Sequence, residues 1–375
     1  MHRIAVINTL PIPSGVASVN RLLSYAKGLV EIGDDVTVLS SANSNSVIGE
    51  VDGVKYNNMG NGRGMMSLLL ALHKIIKVVR TNRYDSVILV SNSLLLIYPI
   101  VTVCKLKGIR IIQEKSEFPF VLMKKGIIAK IWAWFYTSTT YKLFDGLIVM
   151  TKPLMDYFAT KVRKDCKLIE VPMTVDLERF SIENRGSKYG DYIAYCGNMA
   201  GNKDGVMNLI EAFDIASKRI KGIKLLLIGG STVPEDFEKL KQYAEGRGDG
   251  RIVFYGKADR EEIPQLLVNA KALALARPSS LQSTGGFPTK LGEYLATSNP
   301  VVVTAVGDIP RYLDYTNSFI VEPDNNEMFA ERIVEIFTDY TAAIAIGKKG
   351  RVVAEQNFNY KVQSPRIHDF IQNLI

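Results

Sequence analysis

The sequence is poor in the residues that build metal centres and covalent frameworks. Three cysteines, Cys104, Cys166 and Cys196, are spread over 375 residues, odd in number and with no Cys-x-x-Cys pair. A disulfide framework and a cysteine zinc site are excluded, and a reducing compartment fits best. The three histidines, His2, His73 and His368, are equally scattered, so no metal centre is expected. The opening MHRIAVINTL has too short an apolar run for a secretion signal and lacks a small-residue cleavage site, which points to the cytosol. Long uncharged runs apolar enough to resemble a bilayer span are nearly missing too. The exception, Val87 to Cys104, is interrupted by Ser91-Asn92-Ser93 and changes from β-branched to Leu-rich. It reads as a buried strand entering a buried helix rather than a bilayer span. No short internal repeat or low-complexity segment is visible.

What is present is an ordinary globular balance, 47% hydrophobic and 22% charged, in a chain long enough for two or three domains. Lys and Arg total 46 against 38 Asp and Glu, a net charge of +8 that favours an anionic partner. Short β-rich runs alternate with helical stretches from end to end. RIAVIN (3–8), a helix from about Val16 to Gly33, DDVTVLS, SVILVS, IRIIQE, GLIVMT and KLIEV make a first series. The polar, irregular PMTVDLERFSIENRGSKYGD then connects to a second series of YIAYCG, KLLLIGG, RIVFYG, ALALAR, NPVVVT and SFIVE. From about Asn325 onward the pattern is wholly helical. Apolar strands without alternation, separated by helices, signal parallel sheets covered on both faces. The fold class is therefore α/β, with two Rossmann-like domains facing across a cleft. Ligands of such sheets bind beyond the carboxyl ends of the strands, so chemistry is expected in the loops there.

Three of those loops draw notice. Pro11-Ile12-Pro13-Ser14-Gly15 follows the first strand, and Gly15 would let backbone approach a ligand; an ordinary tight turn is the bland alternative. It is not the Gly-x-Gly-x-x-Gly dinucleotide fingerprint. The second loop runs from Tyr195 through Gly197, Asn198, Gly201 and Lys203 to Gly205, with a helix expected from about Lys203. A cation beside free amides suits a diphosphate, and a solvated turn with a stray lysine is the alternative. The third is Arg277-Pro-Ser-Ser-Leu-Gln-Ser-Thr-Gly-Gly-Phe-Pro-Thr-Lys-Leu-Gly-Glu293, read as a polar loop with a helix from Pro288. Glu293 on an otherwise apolar stretch could chelate a vicinal diol such as that of a ribose.

Together these segments resemble the family 4 glycosyltransferases, retaining enzymes of the GT-B fold. The resemblance rests on GGFPTKLGEYLATSNPVVVT at 285–304, on YCGN and NKDG around the second loop, on VPMTVDLERF, and on the Gly15 loop. It covers essentially the whole chain in order and spacing. It implies an acceptor domain over 1–172, with a C-terminal helix about 359–375 packed back on it, and a nucleotide-sugar donor domain over 173–358. The second Glu of the family's Glu-x7-Glu motif matches Glu293, which would bind the donor ribose. The first falls at Gly285, a departure, and the amides of Gly286 and Phe287 or the hydroxyls of Ser283 and Thr284 would take over part of its role. The family's phosphate-binding Arg and Lys map onto Asn198 and Lys203. One cation is thus missing, and Arg277 or Lys290 would supply the lost charge beside the loop of Gly197. Where many members carry a histidine in the first domain, this chain reads Gln113-Glu114-Lys115-Ser116-Glu117. Glu114 and Glu117 are the best-placed substitutes, the alternative being surface carboxylates paired with Lys115, Lys124 or Lys125.

The activity implied is transfer of a sugar, with retention of configuration, from a nucleotide-diphosphate sugar to a glycan or lipid-linked acceptor, in surface polysaccharide or glycolipid assembly. Lys203 and helix N-terminal amides would stabilise the departing diphosphate with no metal or other cofactor. Two basic-apolar stretches, Gly62 to Arg83 and Lys124 to Tyr136 with both tryptophans, are what an interfacial helix uses on an anionic membrane. A core-packed helix with solvated lysines is the alternative. Nucleic acid is not expected as a partner, because no reading module accompanies the charge. Two rival readings remain open: a catalytically silent sugar-nucleotide-binding subunit, suggested by Gly285 and Asn198, and a nucleotide-sugar epimerase of the same architecture.

Overall fold

The computed structural model describes residues 1–62, 64–122 and 127–375, with the backbone alone for residues 121, 122, 127–130 and 132. The chain divides into two compact units, Met1–Thr174 with Tyr360–Ile375, and Val175–Asn359.

The first unit begins with β1 (Arg3–Asn8), α1 (Ala17–Ile32), β2 (Asp35–Ser40), β3 (Ile48–Val51) and β4 (Val54–Asn58). It continues with α2 (Met65–Thr81), β5 (Ser86–Val90), α3 (Leu94–Lys107), β6 (Arg110–Lys115) and α4 (Ile127–Thr139). β7 (Gly146–Val149), α5 (Lys152–Ala159) and β8 (Lys167–Glu170) follow. The eight strands lie in the order β3-β4-β2-β1-β5-β6-β7-β8, parallel except for the β3–β4 hairpin. That hairpin closes through Asp52 and Gly53, both at positive φ (51° and 79°), and forms an edge that the sequence reading leaves unassigned. β5 and α3 account for the uncharged run at 87–104. Among the described residues no helix is long and apolar enough to cross a membrane.

The second unit contains β9 (Tyr192–Asn198), α6 (Val206–Ser217), β10 (Lys224–Gly230), α7 (Pro234–Ala244) and β11 (Ile252–Gly256). Then come α8 (Ile263–Val268), β12 (Ala272–Leu275), α9 (Leu281–Gly285), α10 (Lys290–Ala296), β13 (Val301–Thr304) and β14 (Phe319–Val321). α11 (Asn326–Thr338) and α12 (Tyr340–Asn357) complete it, and α13 (Tyr360–Gln372) returns to the first unit to pack on α1. The six strands are all parallel, in the order β11-β10-β9-β12-β13-β14. Every residue of β12, β13 and β14 is buried, which is why these strands read as unbroken apolar runs.

Both sheets reverse their winding direction once, between β1 and β5 in the first unit and between β9 and β12 in the second. At such a point the loops leaving two neighbouring strands part to opposite faces and leave a crevice beyond the carboxyl ends. Isoleucines on alternate strand positions (Ile4, Ile88, Ile112, Ile148) pack with Leu22 and Leu29 of α1 and Ile367 and Ile371 of α13. Each such burial is worth about 1.5–3 kcal/mol.

Three local expectations change near the second crevice. The helix expected from Lys203 starts at Val206, because Gly205 sits at φ 65° and a left-handed residue interrupts the helical path. The helix expected from Pro288 starts at Lys290. The stretch read as a polar loop contains α9, nucleated by a capping box in which the Ser280 and Ser283 side chains bond each other's backbone amides.

Candidate functional site

The crevice between β9 and β12 gathers most of the candidate residues of the second unit. The loop from Gly197 to Gly205 crosses the carboxyl end of β9, and the segment Ala276–Arg277 leaves β12 directly beside it. The fit is close: a Cβ on Gly205 would lie 1.7 Å from the Ala276 carbonyl oxygen. No side chain caps α6, so its first amides remain for the loop or a ligand.

Beneath this loop lies a buried charge cluster. Asp204 pairs with the Lys290 ammonium, and the Arg277 Nε stands 3.5 Å from its other oxygen. Tyr195 accepts from Lys290 Nζ (2.9 Å) and lies 3.1 Å from Asp204 and 2.9 Å from the Asn198 carbonyl oxygen. Arg277, only 1% exposed, also donates to the carbonyls of Lys203 (3.3 Å) and Gly286 (3.1 Å). Burial pushes the Asp204 carboxyl up, but Lys290 and Arg277 outweigh it and hold it below the ordinary carboxylate value. Two cations against one carboxylate leave net positive charge under the loop. Gly197, at φ 157°, makes room for this arrangement, since a Cβ there would lie 2.2 Å from Lys290 Nζ.

Arg277 and Lys290 therefore sit below the loop, Arg277 holding two of its neighbouring carbonyls and Lys290 the Tyr195 hydroxyl and Asp204. Lys203 is exposed on its surface. Asn198 organises the turn: its side-chain oxygen accepts from the amides of Ala200 (3.1 Å) and Thr232 (3.3 Å).

Glu293 is half-buried on α10. Burial raises its carboxyl above the ordinary value, and the nearby cations Arg179, Lys290 and Arg260 pull it back only in part. The neighbouring Cys196 is a neutral thiol, pushed up to about 12 by burial and by Glu293. Ser283 is buried in the cap of α9, and the Thr284 hydroxyl donates to the Ser280 carbonyl (2.9 Å). Gly285 and Gly286 are buried, and Phe287 packs against Tyr312 and Phe358 at ring separations of 5.7 and 5.3 Å.

Residues 190–339 match the family model described as "Glycosyl transferases group 1". This stretch of the second unit is similar to a group 1 glycosyl transferase domain. Solved structures extend the likeness to the whole chain as a matter of fold. A sucrose-phosphate synthase from Thermosynechococcus elongatus is 17% identical, with a TM-score of 0.75 over 100% of this chain and 99% of its own. Anabaena HepE, solved in complex with UDP-glucose, is 14% identical, with a TM-score of 0.76 over 100% of both chains. A glycosyltransferase from Rickettsia africae is 15% identical, with a TM-score of 0.73 over 99% of this chain and 98% of its own. No curated protein matches the sequence. The whole chain has the two-domain GT-B fold of these glycosyltransferases.

In the first unit, Gly15 is exposed, and nothing lies within 4 Å of where a Cβ would be. α1 behind it has no side-chain cap. Glu114 is not a surface carboxylate paired with Lys115. Its oxygens take Arg21, which is 2% exposed, and the Tyr25 hydroxyl (2.7 Å), while Arg21 also donates to the Val171 carbonyl (2.9 Å). Burial brings the Arg21 guanidinium down to about 10. The arrangement fastens α1, β6 and the segment after β8 together, a link invisible in a local reading because its members are 93 and 150 residues apart. Glu117 is half-buried in the turn after β6. Lys124 and Lys125 lie outside the described residues, as does Arg63.

Lys115 was not among the candidates, yet it is 4% exposed, and among the described residues no carboxylate pairs with it. It donates to Asn92 and to the Tyr136 hydroxyl (3.0 Å) and lies 5.2 Å from the Tyr141 ring centre. Burial pulls its pKa from 10.5 down to about 7. Between these values the unfolded chain holds a proton that the folded one has lost, so folding stability rises with pH across that window. The slope contributed is at most about 1.4 kcal/mol per pH unit. Thermal melts of the wild type compared with Lys115→Met are expected to show this rise only in the wild type. Equal slopes in the two proteins would place Lys115 in water.

Proposed function

We propose that the protein is a retaining, metal-independent glycosyltransferase. It takes a sugar from a nucleotide-diphosphate donor and passes it to a glycan or lipid-linked acceptor in surface polysaccharide or glycolipid assembly. The observation that carries the reading is the β9–β12 crevice: an uncapped helix start and a net-positive buried cluster beside a half-buried carboxylate, Glu293, on the next helix.

The donor is read onto these residues as follows. The diphosphate lies on the Gly197–Gly205 loop, where Lys203 and the amides before α6 meet the charge that builds as the anomeric C–O bond breaks. Lys290 and Arg277 add positive potential from beneath. Glu293 accepts hydrogen bonds from the two ribose hydroxyls. The sugar faces the backbone around Gly286 and Phe287, with Thr284 beside it, in place of the carboxylate absent at Gly285. Glu114 and Glu117 orient the acceptor side, Glu114 through its fixed place beside Arg21. Retention follows if the acceptor hydroxyl attacks from the leaving-group face and a phosphate oxygen receives its proton. HepE, which shares the fold, was solved with UDP-glucose, and this makes UDP-sugars the first donors to try.

A thermal-shift panel of UDP-, GDP- and dTDP-sugars tests the proposal. A donor at about 100 times its dissociation constant adds about 2.7 kcal/mol of stability. Stabilisation by one nucleotide class, with sugar released or transferred on adding acceptor, is the expected result. Stabilisation without transfer or hydrolysis would favour the silent binding subunit, and no stabilisation by any class would overturn the donor site.

A further inference from the structure

The three helices α2, α3 and α4 carry charge of one sign only. Their 17, 14 and 13 residues include Lys74, Lys77, Arg80, Lys105, Lys107 and Lys130 but no Asp or Glu. They follow β4, β5 and β6 and lie side by side: α2 packs on α3, and the Tyr98 hydroxyl of α3 lies 3.3 Å from the Thr139 hydroxyl of α4. Right-handed crossovers place α2 and α3 on the face of the sheet opposite α1, because the strand order runs the other way from β1.

α2 already fills the core with one stripe, Ala71, Leu72, Ile75 and Val79. Its opposite stripe changes character along the helix. Met66, Leu69 and Leu70 of the first turns are exposed, Met66 at 70%, and Lys74, Lys77 and Arg80 continue the same outward face at three- and four-residue spacing. On α4, Ile131, Trp134 and Phe135 also face outward, Trp134 at 70%. Both apolar groups face solvent. A helix that was merely solvated would carry mixed charge on its outer face, not apolar residues followed by cations alone.

We propose that this face of the first unit docks on an anionic lipid surface. The apolar start of α2 and the outer side of α4 enter the interfacial layer, and Lys74, Lys77 and Arg80 meet the phosphate headgroups. Charge decides the occupant: a face with three helices and no carboxylate suits a uniformly anionic surface better than a second copy of itself, which would bring like charges together. The inference does not depend on the donor site, which lies in the other unit.

The test is co-sedimentation of the 375-residue chain with vesicles of phosphatidylcholine alone and of an equimolar mixture with phosphatidylglycerol. Binding to the mixed vesicles, weakened by salt, is expected. The triple substitution Lys74→Ser, Lys77→Ser, Arg80→Ser should lower it about 100-fold, each cation near an anionic surface being worth about fivefold. Met66→Asp with Leu70→Asp should lower it with the charges intact, and both variants alter exposed positions, so their melting curves should match the wild type. Failure to bind mixed vesicles at low salt would overturn the proposal, as would binding unchanged in both variants. Concentration-dependent dimerisation lost in Met66→Asp would overturn it in favour of a self-association face. Donor-induced stabilisation, read separately, reports on the transferase site alone.

Discussion

Asp204→Ala is expected to destabilise the second unit by about 3–5 kcal/mol, among the largest effects of any single change in this protein. The carboxylate pairs with both Lys290 and Arg277 in a buried cluster, and removing it leaves these two cations without their shared counter-charge under the Gly197–Gly205 loop. For a unit of this size the loss corresponds to a drop on the order of 10 °C in melting temperature. Asp204→Asn should cost much less, because the amide still accepts from Lys290 and Tyr195. It also leaves more positive charge beneath the loop, so a nucleotide diphosphate should bind it at least as tightly as the wild type. Urea or thermal unfolding of both variants, with and without donor, separates the two roles. An alanine variant as stable as the wild type would show that water, not Asp204, balances the cations.

Asp204 also shows where sequence reading stops. The strands around it were legible, because strands of a covered parallel sheet are continuous apolar runs that stand out from their surroundings. The loops were legible as loops from their glycines. In Asn202-Lys203-Asp204-Gly205, however, the sequence reading takes the lysine as the cation for a phosphate and assigns the aspartate no role. Its partners are 73 and 86 residues away, and nothing local announces that Lys290, set between Thr289 and Leu291, folds under a glycine of another strand. The same distance hides Arg21 from Glu114. Two misses did have local signals. Val51-Asp52-Gly53-Val54 is a two-residue hairpin turn, overlooked because its flanking strands are short and polar. Ser280 and Ser283 have the spacing of a capping box, with serine rather than glutamate at the third position.

Glu293→Gln separates ligand binding from folding most sharply. Burial holds the Glu293 carboxyl above its ordinary value even with Arg179, Lys290 and Arg260 nearby. From the ordinary value up to the raised one, the folded chain keeps a proton that the unfolded chain has released. This group's contribution to stability therefore falls as pH rises through that window and is unfavourable at neutral pH. A neutral glutamine removes the cost, so the variant should be as stable as the wild type or slightly more so. Donor binding should move the other way. A carboxylate that accepts from both hydroxyls of a ribose makes two charge-assisted hydrogen bonds, and weakening them by about 3 kcal/mol in all lowers affinity about 100-fold. The same protonation should weaken donor binding to the wild type as pH falls through the raised value, while the variant's weak binding stays flat. Calorimetric titration of both proteins across that range checks each part. A glutamine variant with wild-type affinity would remove Glu293 from the donor site, whereas one that loses both affinity and stability would make it a structural residue. Retained stability, lost affinity and a lost acid limb together mark a charge kept at some cost to the fold because the ligand needs it.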